Sequence, residues 1–299
     1  MPVLVAGSVA IDHITTHHDR RENVLGGSAS YASVAASFFG PVSMVGIVGE
    51  DFPQGFIRLY EEKGIDLEGL ERTPGKTFRW SGVYERDMNR RSTLMTELNV
   101  FEHFQPKLPA NYQKSEFVLL ANIGPELQLS VLDQLHAPRF VIADTMDLWV
   151  NIAHGSLLKL IERVDLLILN DDEARLISEE QNLLRAAKWI RERGPGHVII
   201  KKGEHGSLLF SKEGIFITPA FPIEYVIDPT GAGDTFAGAI AGYLNAQDAL
   251  DLPAIKQALL HASVLASFTV EDFSLHRLVD LKREEHDVRL KTFLSMITA

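Results

Sequence analysis

Five short apolar runs, at 3–7, 117–124, 140–144, 165–170 and 198–203, each stop abruptly at a polar residue or a glycine. Their length suits buried strands. The stretches between them carry helical spacing, at 30–39, 52–63 (Phe56, Leu59 and Tyr60 on one side), 127–135, 157–161, 171–177 and 183–193. Strands alternating with helices of this length make right-handed βαβ units and a largely parallel sheet. Such strands are apolar on both faces because helices cover both faces. The chain therefore reads as an α/β protein. No repeat, low-complexity tract or long linker divides it, so a single domain over 1–299 is expected.

Two regions break the rhythm. Residues 12–25 are polar, and in 74–104 Phe78, Trp80, Val83 and Tyr84 are set among Arg79, Arg86, Arg90 and Arg91. Alternation of this kind predicts antiparallel strands with one wet face, here a small sheet projecting from the main layer. The last quarter is helical, at 231–244, 252–268 and 278–297, the last a charged surface helix.

Composition removes several classes of function. The chain has no Cys, so disulfides, thiolate catalysis and Cys-based zinc sites are out. A formal charge of −11 argues against a nucleic-acid binder, which needs a basic face. No apolar run approaches the roughly 18 to 20 residues that span a bilayer. The N-terminal stretch lacks a basic segment and meets Asp12 at once, unlike a signal peptide. A cytoplasmic protein without nucleic-acid or membrane partners is expected. His13, His17 and His18 lie in the projecting sheet with no third ligand in view, so they read as exposed histidines rather than a metal site.

The chemistry concentrates in Asp228-Pro229-Thr230-Gly231-Ala232-Gly233-Asp234-Thr235-Phe236. This stretch joins an extended segment to a helix of small residues. Gly231 and Gly233 let successive backbone N–H groups converge, and the positive end of the helix adds to them. The product is an anion hole suited to a phosphoryl group. Asp234 falls in the first helical turn. There a carboxylate can accept the proton of an attacking hydroxyl while the amides of Ala232, Gly233 and Asp234 hold the phosphoryl oxygens. The plainer reading is a turn with an acidic first-turn residue. The pattern Gly-x-x-x-x-Gly-Lys-Ser/Thr is absent, so a P-loop is not the device.

The same stretch closely resembles the C-terminal signature of the PfkB (ribokinase-like) carbohydrate and nucleoside kinases. Leu25-Gly26-Gly27-Ser28-Ala29, followed by Val45-Gly46-Ile47-Val48-Gly49-Glu50-Asp51-Phe52, resembles the family's first signature. The resemblance covers nearly the whole chain. It implies a three-layer α/β/α fold with a mainly parallel central sheet and a small β-sheet lid. The lid segments would be about 12–25 and 74–104, and the lid often forms a homodimer interface. The implied reaction is transfer of the ATP γ-phosphoryl group to a hydroxyl, with Asp234 as base and Gly231, Ala232 and Gly233 as the anion hole. Asn170-Asp171-Asp172-Glu173 matches the family's Asn-x-x-Glu motif, so Asn170 and Glu173 would hold Mg²⁺ mostly through water. Lys201, Gly203, Glu204 and Gly206 resemble the strand and turn along ATP, and Thr230 and His261 join the implied ATP contacts. Lys201 stands where ribokinase has a small hydroxyl residue; it meets the phosphates or faces solvent. A monovalent cation near Asp228 is also implied.

On the acceptor side the resemblance assigns Asp12, Gly26 and Gly27, with Asn99 as a looser second polar contact. Tyr31 occupies the place where the sugar kinases commonly carry Asn. With Phe78, Trp80 and Tyr84 along the lid, it favours a base-stacking pocket. A nucleoside and a simple sugar both remain open as acceptors, and a non-catalytic binder on the same fold is the alternative of a different class.

Overall fold

The computed structural model describes residues 1–298. In chain order the strands and helices are β1 (Val3–Ala6), β2 (Ala10–Thr15), β3 (Arg20–Gly26), α1 (Ser28–Ser37), β4 (Val42–Gly49), α2 (Gln54–Glu62), β5 (Ile65–Thr73), β6 (Phe78–Tyr84), β7 (Arg91–Glu97) and β8 (Phe117–Leu120). They continue as α3 (Pro125–Asp133), β9 (Phe140–Asp144), α4 (Asp147–Ile152), α5 (His154–Ile161), β10 (Leu166–Asn170), α6 (Asp171–Ser178), α7 (Leu183–Arg191) and β11 (His197–Lys201). The chain ends with β12 (Ser207–Ser211), β13 (Gly214–Thr218), α8 (Ala232–Asn245), α9 (Leu252–Thr269), α10 (His276–Val279) and α11 (Arg283–Ile297).

The main sheet has the order β13-β12-β11-β10-β9-β8-β1-β4-β5. Its pairs are parallel except at β11–β12 and β12–β13. Side chains alternate along each strand, and the two faces feed two separate cores. Val3, Val5, Phe117, Leu119, Leu166 and Ile168 pack under α1, α8 and α9. Leu4, Ala6, Val118, Leu120, Leu167 and Leu169 pack under α3, α5, α6 and α7. This is the three-layer α/β/α arrangement. Truncating one of these buried Leu or Ile residues to Ala would cost about 2–5 kcal/mol. Among the described residues no helix is long and apolar enough to cross a membrane.

The second sheet, β3-β2-β6-β7, rises from the carboxyl edge of the first. β2–β3 and β6–β7 are antiparallel, but β2 and β6 run parallel, contrary to the expectation of a wholly antiparallel sheet. The reason lies in the body. β2 leaves the carboxyl end of β1 and β6 leaves the carboxyl end of β5, strands that point the same way through β4. The terminal helix predicted at 278–297 is broken at 280–282 into α10 and α11. The Glu285 carboxylate caps the second start by accepting from Lys282 N at 3.2 Å.

Candidate active site

The sheet's strand order reverses beside β1, and the carboxyl ends of its parallel strands form the crevice where α/β folds bind ligands. Asp144, Asn170 and Lys201 are the last residues of β9, β10 and β11. Lys201 Nζ lies 3.0 Å from Asp144 Oδ1. A Cβ added to Gly233 would lie 3.2 Å from Lys201 Nζ, so the lysine points into the mouth of α8 and not to solvent. Burial works to lower the Lys201 pKa, yet Asp144 and Glu173 hold it above the ordinary lysine value. Burial raises the Asp144 carboxyl, with Lys201 pulling it back.

Gly231 starts α8 in the left-handed region, with φ 75°. No larger residue fits there, because a Cβ would lie 2.3 Å from the Tyr31 ring. The turn leaves the amides of Gly231, Gly233 and Asp234 without a backbone acceptor among the described residues. Ala232 departs from expectation: its N–H donates to the Pro229 carbonyl at 3.2 Å, because the chain tightens there before the helix begins. Burial, reinforced by Asp144, pushes Asp234 up to about 7, against Lys201 and Arg91.

Asn170 caps α6. Its Oδ1 accepts from Glu173 N at 2.8 Å, and the Glu173 carboxylate accepts from Asn170 N at 2.7 Å and from Asn170 Nδ2 at 2.6 Å. Burial raises Glu173 to about 7, partly offset by Lys201. Gly203–His205 forms a single 3₁₀ turn after β11, and Gly206 closes it by accepting from Lys202 N at 2.7 Å. The tip of the β6–β7 hairpin rests on this turn, with Asn89 Nδ2 donating to Glu204 Oε1 at 3.2 Å. Thr230 Oγ1 donates to the Tyr84 hydroxyl at 3.1 Å, a second tie from lid to anion hole. Asp228 is fully buried and accepts from Thr230 N at 2.9 Å and Ser274 N at 3.2 Å.

Asp12 sits on β2 opposite Trp80, 3% exposed, with Oδ1 lacking any partner. Gly26 leaves room for it: a Cβ there would lie 1.9 Å from Asp12 Oδ2. Gly27 follows as the start of α1. Burial, then Asp228 and Asp234, raise the Asp12 carboxyl well above its ordinary value. Trp80 folds over Gly82, donates from Nε1 to Thr93 Oγ1 at 3.2 Å, and packs with Tyr84 against Ile14, Val24 and Phe273. Phe78 instead stacks on Phe101 at 5.5 Å, outside the cluster that Trp80 and Tyr84 share.

Three assignments need correction. Tyr31 is not a stacking surface, because its ring is buried under Gly231 on α1 and only its hydroxyl, which lacks a partner, remains to be used. Asn99 spends its side chain on the lid's own backbone, donating to Thr77 O at 3.0 Å, since its left-handed φ of 51° turns it back onto that strand. His261 stacks on Tyr243 at 4.5 Å and on His286 at 5.1 Å. Tyr243 lies roughly 13 Å along α8 from Asp234 at the helical rise, so His261 belongs to a packing cluster away from the start of that helix. Asp144 was missed. The available signal was an aspartate closing a parallel strand, at the edge where such sheets bind ligands.

Unpaired helix-start amides, a carboxylate free of protein partners and a half-buried lysine meet at the carboxyl ends of the parallel strands, an arrangement suited to phosphoryl transfer. A family model described as pfkB family carbohydrate kinase matches residues 3–278. The chain is similar to the cytidine kinase of Thermococcus kodakarensis, with 31% identity over 252 residues, covering 81% of this chain and 88% of that protein. It is also similar to the nucleoside kinase of Methanothermobacter thermautotrophicus, with 29% identity over 293 residues, covering 90% and 89%. The fold is shared with the Burkholderia thailandensis nucleoside kinase solved with ADP-inosine, at TM-score 0.79 and 20% identity over 98% of this chain and 96% of that one. The chain belongs to the pfkB family of carbohydrate kinases, whose phosphate donor is ATP.

Proposed function

We propose that this chain transfers the terminal phosphoryl group of ATP to a hydroxyl of a nucleoside, with Asp234 as general base. The carrying observation is the Asp234 carboxylate beside unpaired amides and within reach of the Lys201 charge. The acceptor oxygen bonds to the terminal phosphorus as the bond to the bridging oxygen breaks. ADP leaves, and the hydroxyl proton passes to Asp234. A base held near 7 is matched to that proton at neutral pH. The amides of Gly231, Gly233 and Asp234 donate to the phosphoryl oxygens, and Lys201, steadied by Asp144, balances their charge. Thr230, Gly203, Glu204 and Gly206 line the way along the nucleotide.

Asn170 and Glu173 fit a hydrated Mg²⁺, not a stripped one. Both Glu173 oxygens already accept protein hydrogen bonds, and among the described residues no cluster of three or more His, Asp or Glu side chains is arranged to hold a metal ion. When bound, Mg²⁺ would neutralise charge on the ATP phosphates; Asn170 and Glu173 would orient its waters. A monovalent cation would lie near Asp228, whose buried carboxylate meets only two N–H donors.

The acceptor would lie over Asp12, Gly26 and Gly27. The orphaned Asp12 Oδ1 and Tyr31 hydroxyl are groups for its hydroxyls. Two observations favour a nucleoside over a free sugar: the apolar lid face made by Trp80 and Tyr84, and the similarity to a cytidine kinase and a nucleoside kinase. The exposed Leu94 and Met95 on β7 are the surface for a homodimer through the lid. The test is a panel of ribose, fructose, 2-keto-3-deoxygluconate, adenosine, inosine, guanosine and cytidine with Mg-ATP. A nucleoside should exceed every free sugar in kcat/KM. Preference for a free sugar overturns the nucleoside assignment, and turnover of none overturns the kinase reading.

A further inference from the structure

A second cation approaches Asp234 from the lid. Arg91 opens β7 directly across from Tyr84 in the β6–β7 register. Its guanidinium lies 5.9 Å from the centre of the Trp80 ring, and its charge works against the burial that raises the Tyr84 hydroxyl. That hydroxyl accepts from Thr230 Oγ1 at 3.1 Å, and Thr230 immediately precedes the anion-hole turn. Arg91 is thereby carried, through Tyr84 and Thr230, to the rim of the hole, and its charge works against the burial that raises the Asp234 carboxyl. Its neighbours are otherwise engaged: Arg79 pairs with Asp51 at 2.9 Å and Lys201 with Asp144 at 3.0 Å. Among the described residues Arg91 has no carboxylate at ion-pair distance. Packing on the Trp80 ring restrains the side chain but leaves the guanidinium's forked donors unspent.

We propose that Arg91 is a catalytic residue carried by the lid, its guanidinium donating to the oxygens of the phosphoryl group as it passes from ATP to the acceptor. The inference rests on the phosphotransfer reading above and adds to it a residue that neither signature motif contains. A planar fork matches two phosphoryl oxygens at once, which a lysine does not do. Its place on the lid has a consequence. The tip of the same hairpin touches the ATP-side turn through Asn89 and Glu204, so lowering the lid over the acceptor and delivering the charge are one motion. Phosphoryl transfer to water is then slow until an acceptor brings the lid down.

The experiment is steady-state kinetics with Mg-ATP and the best acceptor of the panel, on wild type, Arg91→Ala, Arg91→Lys and Asp234→Asn. Arg91 is exposed, so its variants keep the fold, which a melting curve checks. Arg91→Ala should lose about 10²–10³-fold in kcat, as for removal of a charge-stabilising donor, with the KM for ATP and acceptor within about threefold. Arg91→Lys should recover part of the loss. Added guanidinium ion should restore part of the activity of Arg91→Ala and none of Asp234→Asn. A kcat for Arg91→Ala within about twofold of wild type, or a loss confined to acceptor KM and untouched by guanidinium, overturns the proposal. An active Asp234→Asn overturns the phosphotransfer reading itself. An inactive Asp234→Asn beside a normal Arg91→Ala overturns only the role of Arg91.

Discussion

At the carboxyl edge of the main sheet, Asp144, Asn170 and Lys201 close three adjacent parallel strands, and their spacing follows from the register of β9, β10 and β11. At the lid, β7 is exposed along its whole length, and the sheet meets the nucleotide side through hydrogen bonds such as Asn89 to Glu204 and Thr230 to Tyr84. The first region is built of groups that packing does not release. The second is built of contacts that solvent can replace at little cost. A kinase needs both. Phosphoryl oxygens require preorganised charge, and an acceptor must enter and leave. Changes at the body's end of the site should therefore act on kcat and stability, and changes at the lid, Arg91 apart, on acceptor selection.

The largest expected effect is at Asp234. Asp234→Asn should lower kcat by about 10²–10⁴-fold with the fold intact, the cost of a lost general base. In the wild type the base works only as carboxylate. With its pKa at about 7, kcat/KM should fall roughly tenfold per pH unit below that value and level off above it. A profile flat from pH 5 to 8 would assign the proton elsewhere. Next comes Lys201→Met, which leaves Asp144 buried without its partner. Unfolding free energy should drop by about 3–5 kcal/mol, and Lys201→Met with Asp144→Asn should recover much of it. Denaturant titration of both variants decides this, and no recovery in the pair would mean that the two groups act independently.

Away from Arg91, effects at the lid should be smaller and selective. Asp12→Ala should weaken the acceptor by about 1.5–3 kcal/mol while ATP affinity stays, as expected for hydrogen bonds to a charged group. A loss of ATP affinity instead would reverse the assignment of the two subsites. Trp80→Ala should raise the KM of a nucleoside by a factor corresponding to about 1–3 kcal/mol, with ribose little changed. Sedimentation on the same variant separates a base-stacking role from a dimer seam. Monomers that lose all acceptors alike would make Trp80 an interface residue and blur the contrast between the two regions.

What was legible in the sequence was local. The glycines and Asp234 of the anion hole lie within one turn, and a helix start has the same geometry wherever it occurs. The inner strands β1, β8, β9, β10 and β11 are buried on both faces and show as apolar runs. β5 and β13 sit at the two edges of the sheet, partly wet, and their mixed sequences gave no such run. The parallel pairing of β2 with β6 was invisible, because it depends on where β1 and β5 point.

The sequence by itself determined the α/β layering, the glycine turn that opens α8 and the presence of a projecting sheet, since each follows from short-range periodicity or from a backbone conformation only glycine adopts readily. Tertiary structure alone decided which side chains meet. Lys201 and Asp144 are 57 residues apart and become partners only through strand register. Tyr31 and Gly231 face each other because α1 and α8 pack together, with the backbone of Ala32 and Ala36 against Gly238 and Gly242. His261 stands on a helix that shares its amphipathic spacing with any other, and its distance from Asp234 is set by how far along α8 it docks. Arg91 is one of several arginines in an alternating stretch, and only the β6–β7 register, the Trp80 ring and the Thr230–Tyr84 bond bring its charge to the anion hole.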